Sequence, residues 1–174
     1  LLAQLEHDPM ASALCFTPSQ AILEAVSASF NAQLPGLKRQ DILQKSQHHA
    51  MGCVLSEQSE LIAAINDVAS EHLVLLIEDY DDLLSRVKHA GSIFCGPYTP
   101  VTLGDYFAGP NHVLPTNRAA RFASPLGVMD FMKASSFLSY PKSQLEVAKD
   151  PLQLLTDKEH LDAHMNAVKV RLDH

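Results

Sequence analysis

The chain has 174 residues, enough for one domain with a hydrophobic core or for one domain with a small appendage. Its net charge of -7, without a cluster of Lys and Arg, argues against nucleic acid and anionic membranes as partners. No apolar run approaches the ~20 residues that span a bilayer. The cysteines, Cys15, Cys53 and Cys95, are odd in number and lack Cys-x-x-Cys spacing. We therefore expect reduced thiols in a cytoplasmic protein.

Predicted strands and helices alternate along the first half of the chain. A helix over 1–7 is stopped by Asp8-Pro9, because a residue before proline is disfavoured in the helical region. Helices are also predicted from Pro18-Ser19 to Pro35-Gly36, over 41–47, from Ser56 to about Val68, and over 79–89. The strands between them are predicted at 13–17, 52–55, 73–77 and 91–95.

The run Leu73-Val74-Leu75-Leu76-Ile77 is apolar without alternation. A strand of this kind is typical of a parallel sheet that is covered on both faces. Together with the alternating helices, it predicts an α/β fold: a Rossmann-like layered lobe with a mostly parallel sheet and crossover helices.

The pattern of predicted elements changes near Leu126, from alternating strands and helices to helices alone. We predict an α/β lobe over 1–126 that carries most of the functional site, and a mostly helical C-terminal tail over 127–174. Pro141 and Pro151 are expected to separate short helices, and residues 157–171 to form one long amphipathic helix.

The segment from Gly104 to Thr116 contains two glycines and two prolines together with polar groups. Gly and Pro interrupt the hydrogen-bond ladders of helices and strands, so the segment is predicted to be a shaped loop. It holds an acid, a phenol, an amide and an imidazole between apolar segments. Such loops often carry function on a rigid scaffold.

Several polar residues are candidates for chemistry, and each also has a structural interpretation. Gln4 and His7 are spaced to stand over one helical turn, yet such pairs more often decorate a surface. Asp105 could cap a helix or form a turn, and His164 could be a packed histidine. Glu71-His72 precede the apolar strand, where they form either a solvated turn or an acid/base pair.

The loop from Gly104 to Thr116, followed by Arg121 and by Val128-Met129-Asp130-Phe131, resembles the signature of the histidinol dehydrogenases. The resemblance extends from Leu1 to Val168 in the family's order. It implies a zinc- and NAD-dependent enzyme that oxidises L-histidinol to L-histidine through an aldehyde, in the last step of histidine biosynthesis. The chain starts where members of the family are past their middle. We therefore expect the NAD site and a substrate-binding serine before Leu1, and no activity from these residues alone.

The resemblance also implies residue roles. Zinc would be bound by Gln4, His7, Asp105 and His164. His72 would take a proton from the alcohol, and Glu71 would help to activate water for the second oxidation. Glu159 would contact the amino alcohol, and His112 would lie close to the substrate. Gln4, His7, His72, Asp105, His112, Glu159 and His164 would together surround the substrate.

In the resembling family the tail reaches the second subunit of a homodimer, so Glu159 and His164 are expected to complete the neighbour's site. Tyr106 is predicted to be a core phenol or one packed beside the site. The remaining histidines are predicted to be structural or solvated: His48, His49, His89, His160 and His174.

The sequence departs from the family pattern after Leu114-Pro115-Thr116, where Asn117-Arg118 replace a glycine-containing turn and Ser124 is followed by Pro125. Asn tolerates positive φ, but Arg118 adds a charge near the site. Two alternatives therefore stay open. One is a related dehydrogenase of another amino alcohol or polyol, and the other is an inactive truncated remnant that serves in dimerisation or metal binding.

Overall fold

A computed structural model describes residues 1–173, so His174 lies outside the described residues. The chain forms two compact units, Leu1–Asp130 and Phe131–His174. The elements of the first unit are, in chain order, α1 (Leu2–Leu5), β1 (Ala13–Thr17), α2 (Gln20–Gln33), α3 (Gln40–Ser46), β2 (Ala50–Val54), α4 (Gln58–Val68), β3 (His72–Leu75), α5 (Asp81–Arg86), β4 (Ser92–Cys95) and α6 (Val101–Tyr106). The second unit contains α7 (Lys142–Glu159) and α8 (Asp162–Leu172).

The strands of the first unit pair in parallel, as predicted, but in two separate sheets. β1 pairs with β2 from Ala13 opposite Ala50 to Thr17 opposite Val54, and β3 pairs with β4 from His72 opposite Ser92 to Leu75 opposite Cys95. Parallel strands need a crossover connection. α2 and α3 supply it in the first sheet, and α5 supplies it in the second. The α/β character predicted from the alternating pattern is thus confirmed.

Local sequence signals set several element boundaries. β1 covers the predicted residues, and α2 begins where predicted because the Ser19 side chain accepts a hydrogen bond from the Ile22 N–H at 3.3 Å. α5 is shorter than its prediction and ends at Arg86. His89 therefore lies beyond this helix, not in its last turn as expected.

Two small hydrophobic cores hold the first unit together. One joins α1, β1 and α3 through Leu5, Ala13 and Leu43. The other joins α4, β3 and α5 through Ile62, Ile65, Leu75 and Leu83. These cores support the segments that precede and follow the two sheets, and those segments carry most of the candidate site residues.

The prediction that 73–77 is buried on both faces is wrong for the described chain. Only Leu75 of this run is buried, while Leu76 is 71% exposed. The physical reason is that a two-stranded sheet has too few neighbours to cover both faces of β3.

The predicted loop begins as a helix, because α6 includes Gly104, Asp105 and Tyr106. Gly104 does not end the helix, since glycine only lowers helix stability and a short turn accepts it. Only the residues after Tyr106 form the extended loop, which makes the prediction wrong for the first three positions.

The tail also differs from its prediction. Pro151 lies inside α7, which continues through it because the fixed φ of proline is close to the helical value and only one backbone donor is lost. The single helix predicted over 157–171 is instead two helices. They are separated at His160, whose left-handed φ of 56° ends α7.

Candidate active site

Glu71 and His72 lie where α4 passes into β3. α4 ends at Val68 with Ala69 in the left-handed conformation, and His72 is the first residue of the strand. The backbone of this junction is fixed by two hydrogen bonds, from Gly91 N–H to the Ser70 carbonyl at 2.9 Å and from Ser92 N–H to the Glu71 carbonyl at 2.8 Å. The pair therefore stands at a rigid corner of the second sheet.

Gly91 is required at this corner because the backbone approaches it closely. A Cβ at position 91 would lie 2.6 Å from the Glu71 carbonyl oxygen and 3.2 Å from the Cδ of Pro115. Glycine thus lets the loop that contains Pro115 pack against the corner. Pro115 is itself buried, which fixes this part of the loop beside Glu71.

The imidazole of His72 is nearly enclosed, with 15% of its side chain exposed. Within residues 1–173, neither of its ring nitrogens has a hydrogen-bond partner. Its ring packs beside Phe94, with the centroids 5.9 Å apart and the planes tilted by 42°. A buried polar group without a partner is costly and uncommon, so it often indicates a site for a ligand or a reaction.

Asp105 is the charged neighbour of His72. Its Oδ1 lies 3.9 Å from the Nε2 of His72, and 26% of its side chain is exposed. The separation is too long for a direct hydrogen bond, but a protonated imidazole would form an ion pair across it. The two groups are therefore close enough to interact electrostatically, and no side chain among residues 1–173 forms a hydrogen bond with the ring nitrogens of His72.

Close packing of α6 on β4 sets the position of Asp105. A Cβ on Gly104 would lie 2.5 Å from the Cε1 of Phe94, a buried residue. Only glycine allows the helix to approach Phe94 this closely. Phe94 consequently contacts both the His72 ring and the turn that holds Asp105.

Gln4 and His7 lie on and just after α1. The His7 N–H bonds to the Gln4 carbonyl at 3.3 Å, so the two residues share one turn, with Gln4 half-buried and His7 exposed. α1 is attached to α3 by the buried Ser46 hydroxyl, which donates to the Leu5 carbonyl at 2.7 Å. The turn that carries Gln4 and His7 therefore has a defined position in the first unit.

Glu159 and His164 belong to the second unit. Glu159 is the last residue of α7, and His164 lies in the first turns of α8, where its N–H bonds to the Leu161 carbonyl at 3.0 Å. Both residues are exposed. Neither is packed into the α7 and α8 pair, so the interpretation of His164 as a packed histidine is wrong for the described chain.

The loop residue His112 is exposed, and the preceding Asn111 shapes the backbone by accepting the Val113 N–H at 2.8 Å. Tyr106 is 82% exposed, so the prediction of a packed phenol is wrong. It lies at the end of α6, where the chain turns away from the core. His48, His49 and His160 are exposed, as expected for solvated histidines.

The structure pairs one of the predicted zinc ligands, Asp105, with the predicted base His72. Among residues 1–173 no three His, Cys, Asp or Glu side chains converge on a single point. The predicted ligand set nevertheless has suitable chemistry, because amide and carboxylate oxygens and imidazole nitrogens can form an open, catalytic type of zinc site. The unpartnered nitrogens of His72 beside Asp105 are consistent with a polar or metal-bound ligand at this corner.

Asn117 and Arg118, where the sequence departs from the family pattern, both have positive φ, 50° and 66°. The left-handed turn is therefore kept without glycine. Arg118 binds the carboxylate of Asp67 at 2.9 Å, so its added charge is partnered.

Sequence reasoning missed Asp67, Gly91 and Phe94, because no motif marks them and their roles depend on contacts between distant segments.

Within the part of the chain that the structure describes, Cys15, Cys53 and Cys95 are free thiols, as predicted. No helix among the same residues has the length and apolar character needed to cross a membrane.

The fold and the site together define an α/β protein with a carboxylate and an imidazole facing each other at the corner of a parallel sheet. The family model for histidinol dehydrogenase matches residues 1–172, and the chain belongs to this family.

Individual relatives agree with this assignment. The chain is 45% identical over 174 residues to histidinol dehydrogenase of Listeria monocytogenes, covering 99% of this chain and 41% of the relative. It is 44% identical over 173 residues to histidinol dehydrogenase of Bacillus subtilis, covering 98% of this chain and 40% of the relative. The crystal structure of histidinol dehydrogenase from Elizabethkingia anophelis superimposes with a TM-score of 0.91 at 32% identity, over 99% of this chain and 40% of that one. The chain thus spans about two fifths of these proteins.

Proposed function

We propose that the protein of which these residues are part is an oxidoreductase that oxidises L-histidinol to L-histidine through histidinaldehyde, with reduction of two NAD. The observation that carries this proposal is the His72 imidazole. It is nearly enclosed, has no partner on either nitrogen within the described chain, and lies 3.9 Å from Asp105, in a chain of the histidinol dehydrogenase family. Such a group is suited to transfer a proton of a bound substrate.

In the first oxidation, His72 takes the hydroxyl proton of the alcohol while a hydride leaves the same carbon, so that an aldehyde forms. In the second oxidation, Glu71 assists the addition of water to the aldehyde by accepting a proton, and a second hydride leaves the hydrate to give the carboxylic acid. The two hydrogen bonds at the corner between α4 and β3 fix the backbone from which both side chains extend. NAD supplies the hydride acceptor in both oxidations.

Zinc, the second implied cofactor, would be held by Gln4, His7, Asp105 and His164. When bound, it would supply Lewis acidity that orients and polarises the substrate. A glutamine oxygen is an uncommon, weak zinc ligand, which would leave the metal more electrophilic. The substrate would also meet Glu159, whose carboxylate suits an amino group, and His112 from the loop.

We further propose that the protein is cytoplasmic and acts as a homodimer. In the whole protein, the parallel strand pairs would belong to a Rossmann-like layered lobe, and the helical tail would be exchanged between subunits. The small buried core of the tail supports this exchange, because Met165 is the one buried side chain between residues 131 and 173. A segment with so little core of its own needs another surface.

The proposal is tested with purified full-length protein, by measuring NADH and histidine after addition of L-histidinol. Two NADH per histidine are expected, whereas turnover of other amino alcohols or polyols in preference to histidinol would contradict the substrate. The isolated 174-residue chain is expected to reduce no NAD with any metal added. Turnover by this chain would show that the NAD site had been placed wrongly.

The zinc ligands are tested separately by metal analysis. His7→Ala and Asp105→Ala are expected to lose stoichiometric zinc without loss of the folded state, because each removes a ligand. His49→Ala and Asp41→Ala are matched controls, since both residues are exposed and are outside the predicted ligand set. Full zinc content with tight affinity in the first two variants would contradict the ligand assignment.

A further inference from the structure

One carboxylate binds two arginines of the segment that follows the loop from Gly104 to Thr116. The Oδ1 of Asp67 lies 2.9 Å from a terminal nitrogen of Arg118 and 3.0 Å from one of Arg121. Arg121 also donates to the backbone carbonyl of Asp67. We refer to Asp67, Arg118 and Arg121 as the Asp67 latch.

The latch accounts for an unusual backbone position. Arg118 has a φ of 66°, in the left-handed region that disfavours side chains with a Cβ. A non-glycine residue stays in this region when other contacts fix it. Its ion pair with Asp67 is such a contact.

The latch is also close in sequence to the proposed acid/base pair. Asp67 is in the last turn of α4, four residues before Glu71 along the chain. On the other side, Pro115, three residues before Arg118, packs against Gly91 beside the Glu71 carbonyl. This segment is therefore held at two places, by an apolar contact of Pro115 at the Glu71-His72 corner and by ionic contacts with Asp67 in the last turn of α4.

We propose that Asp67 is a positioning residue for the Glu71-His72 pair, acting through Arg118 and Arg121. This inference rests on the proposed function, because it concerns the same site. Loss of the carboxylate would free the loop at one of its two attachments and would leave Arg118 in a strained conformation without its partner. The corner and the loop with His112 would then lose their fixed relation.

The expected effect is moderate because the ion pairs are partly solvated, with 76% of the Asp67 side chain exposed. In the full-length protein, we expect Asp67→Ala to lower kcat about 3- to 10-fold with little change in KM. Asp67→Glu should restore most of the rate, because a carboxylate can still reach the arginines. Asp82→Asn is the matched control, since Asp82 is an exposed acid that pairs with Arg86 instead.

Two substitutions at position 118 distinguish the effect of the ion pair from the effect of backbone strain. Arg118→Gly removes the ion pair but also the steric cost of positive φ, so its kcat is expected to lie between those of Arg118→Ala and the wild type. Arg118→Ala removes the ion pair but keeps the Cβ, so it is expected to be slower than the glycine variant. Equal rates for Asp67→Ala, Asp82→Asn and the wild type would overturn the proposal, and so would equal rates for Arg118→Gly and Arg118→Ala.

A readout that does not depend on activity separates this inference from the proposed function. Trypsin cleaves after arginine, and the latch holds Arg118 and Arg121. Cleavage after these residues, located by mass spectrometry, should be several-fold faster in Asp67→Ala than in Asp82→Asn. If this difference is found in a protein that does not oxidise histidinol, the proposed function fails and the loop attachment stands. If oxidation is normal and cleavage is unchanged, the latch fails alone.

Discussion

The two units of the chain hold their candidate residues in opposite ways. In Leu1–Asp130, Glu71, His72 and Asp105 are half-buried and are fixed by a strand, a helix and two glycine contacts. In Phe131–His174, Glu159 and His164 are exposed on helices whose shared core consists of Met165. In the first unit, packing within the unit positions the candidate residues. The second unit presents its residues on a surface, and their roles depend on what that surface meets.

The largest expected effect tests the residue that the first unit holds most firmly. His72→Asn should lower kcat by about 10²- to 10⁴-fold, because the variant removes the proton acceptor and keeps a similar volume. Zinc content and substrate binding should be unchanged, as measured by metal analysis and calorimetry. His49→Asn, at an exposed histidine, should behave like the wild type. A change confined to KM would make His72 a binding residue.

The second prediction tests whether the residues of the second unit serve another subunit. Full-length His72→Asn and His164→Asn proteins, each inactive, are mixed, unfolded and refolded. If the tail acts across a dimer interface, half of the dimers are mixed and each has one intact site, so about a quarter of wild-type activity should return. If the tail acts within its own chain, every site keeps one lesion and the mixture stays inactive.

The third prediction concerns the close contact that positions Asp105. Gly104→Ala places a methyl group 2.5 Å from the Phe94 ring, so either the ring or α6 must shift. A strain of about 1–3 kcal/mol is expected, seen as a lower midpoint of thermal unfolding, together with a loss of activity as Asp105 and His72 separate. Gly36→Ala is the control, because nothing lies within 4 Å of a Cβ at that position. Equal effects at the two glycines would contradict this account of the contact.

The smallest effect on catalytic activity is expected from a substitution in the core of the second unit. Met165→Ala should destabilise the α7 and α8 pair by about 2–5 kcal/mol, because it empties the one buried position between residues 131 and 173. The proposed chemistry of Glu71 and His72 should be affected only indirectly. Protection of the α8 amides from hydrogen exchange measures the first effect, and Val147→Ala, at an exposed position, is the control. Unchanged protection in Met165→Ala would show that α7 and α8 are held together by other contacts.

The parts of the fold that the sequence predicted depend on local signals. The strand over Ala13–Thr17, the Ser19 cap and the parallel pairing follow from apolar runs, capping chemistry and the alternation of elements. The parts that it missed depend on contacts between distant residues. Burial of 73–77 depends on how many strands cover it, and the left-handed conformation of His160 was not indicated by its residue type.

The candidate site shows the same division. Glu71, His72 and Asp105 were predicted through the resemblance to a family, whereas composition and spacing alone left each of them with an ordinary structural interpretation. Gly91 and Gly104 shape the corner through a carbonyl oxygen and an aromatic ring that are distant in sequence. Such close approaches have no sequence signature in a single chain.

The hydrogen bond from the Ser46 hydroxyl to the Leu5 carbonyl has a consequence for local unfolding. A helix of four residues is too short to be stable alone, so α1 depends on α3 for its order. The two segments should therefore open together as one cooperative unit, although about forty residues separate them along the chain. Local unfolding of α3 would therefore also release the turn of Gln4 and His7. The local stability of α3 thus determines the fraction of time in which those two residues share one turn.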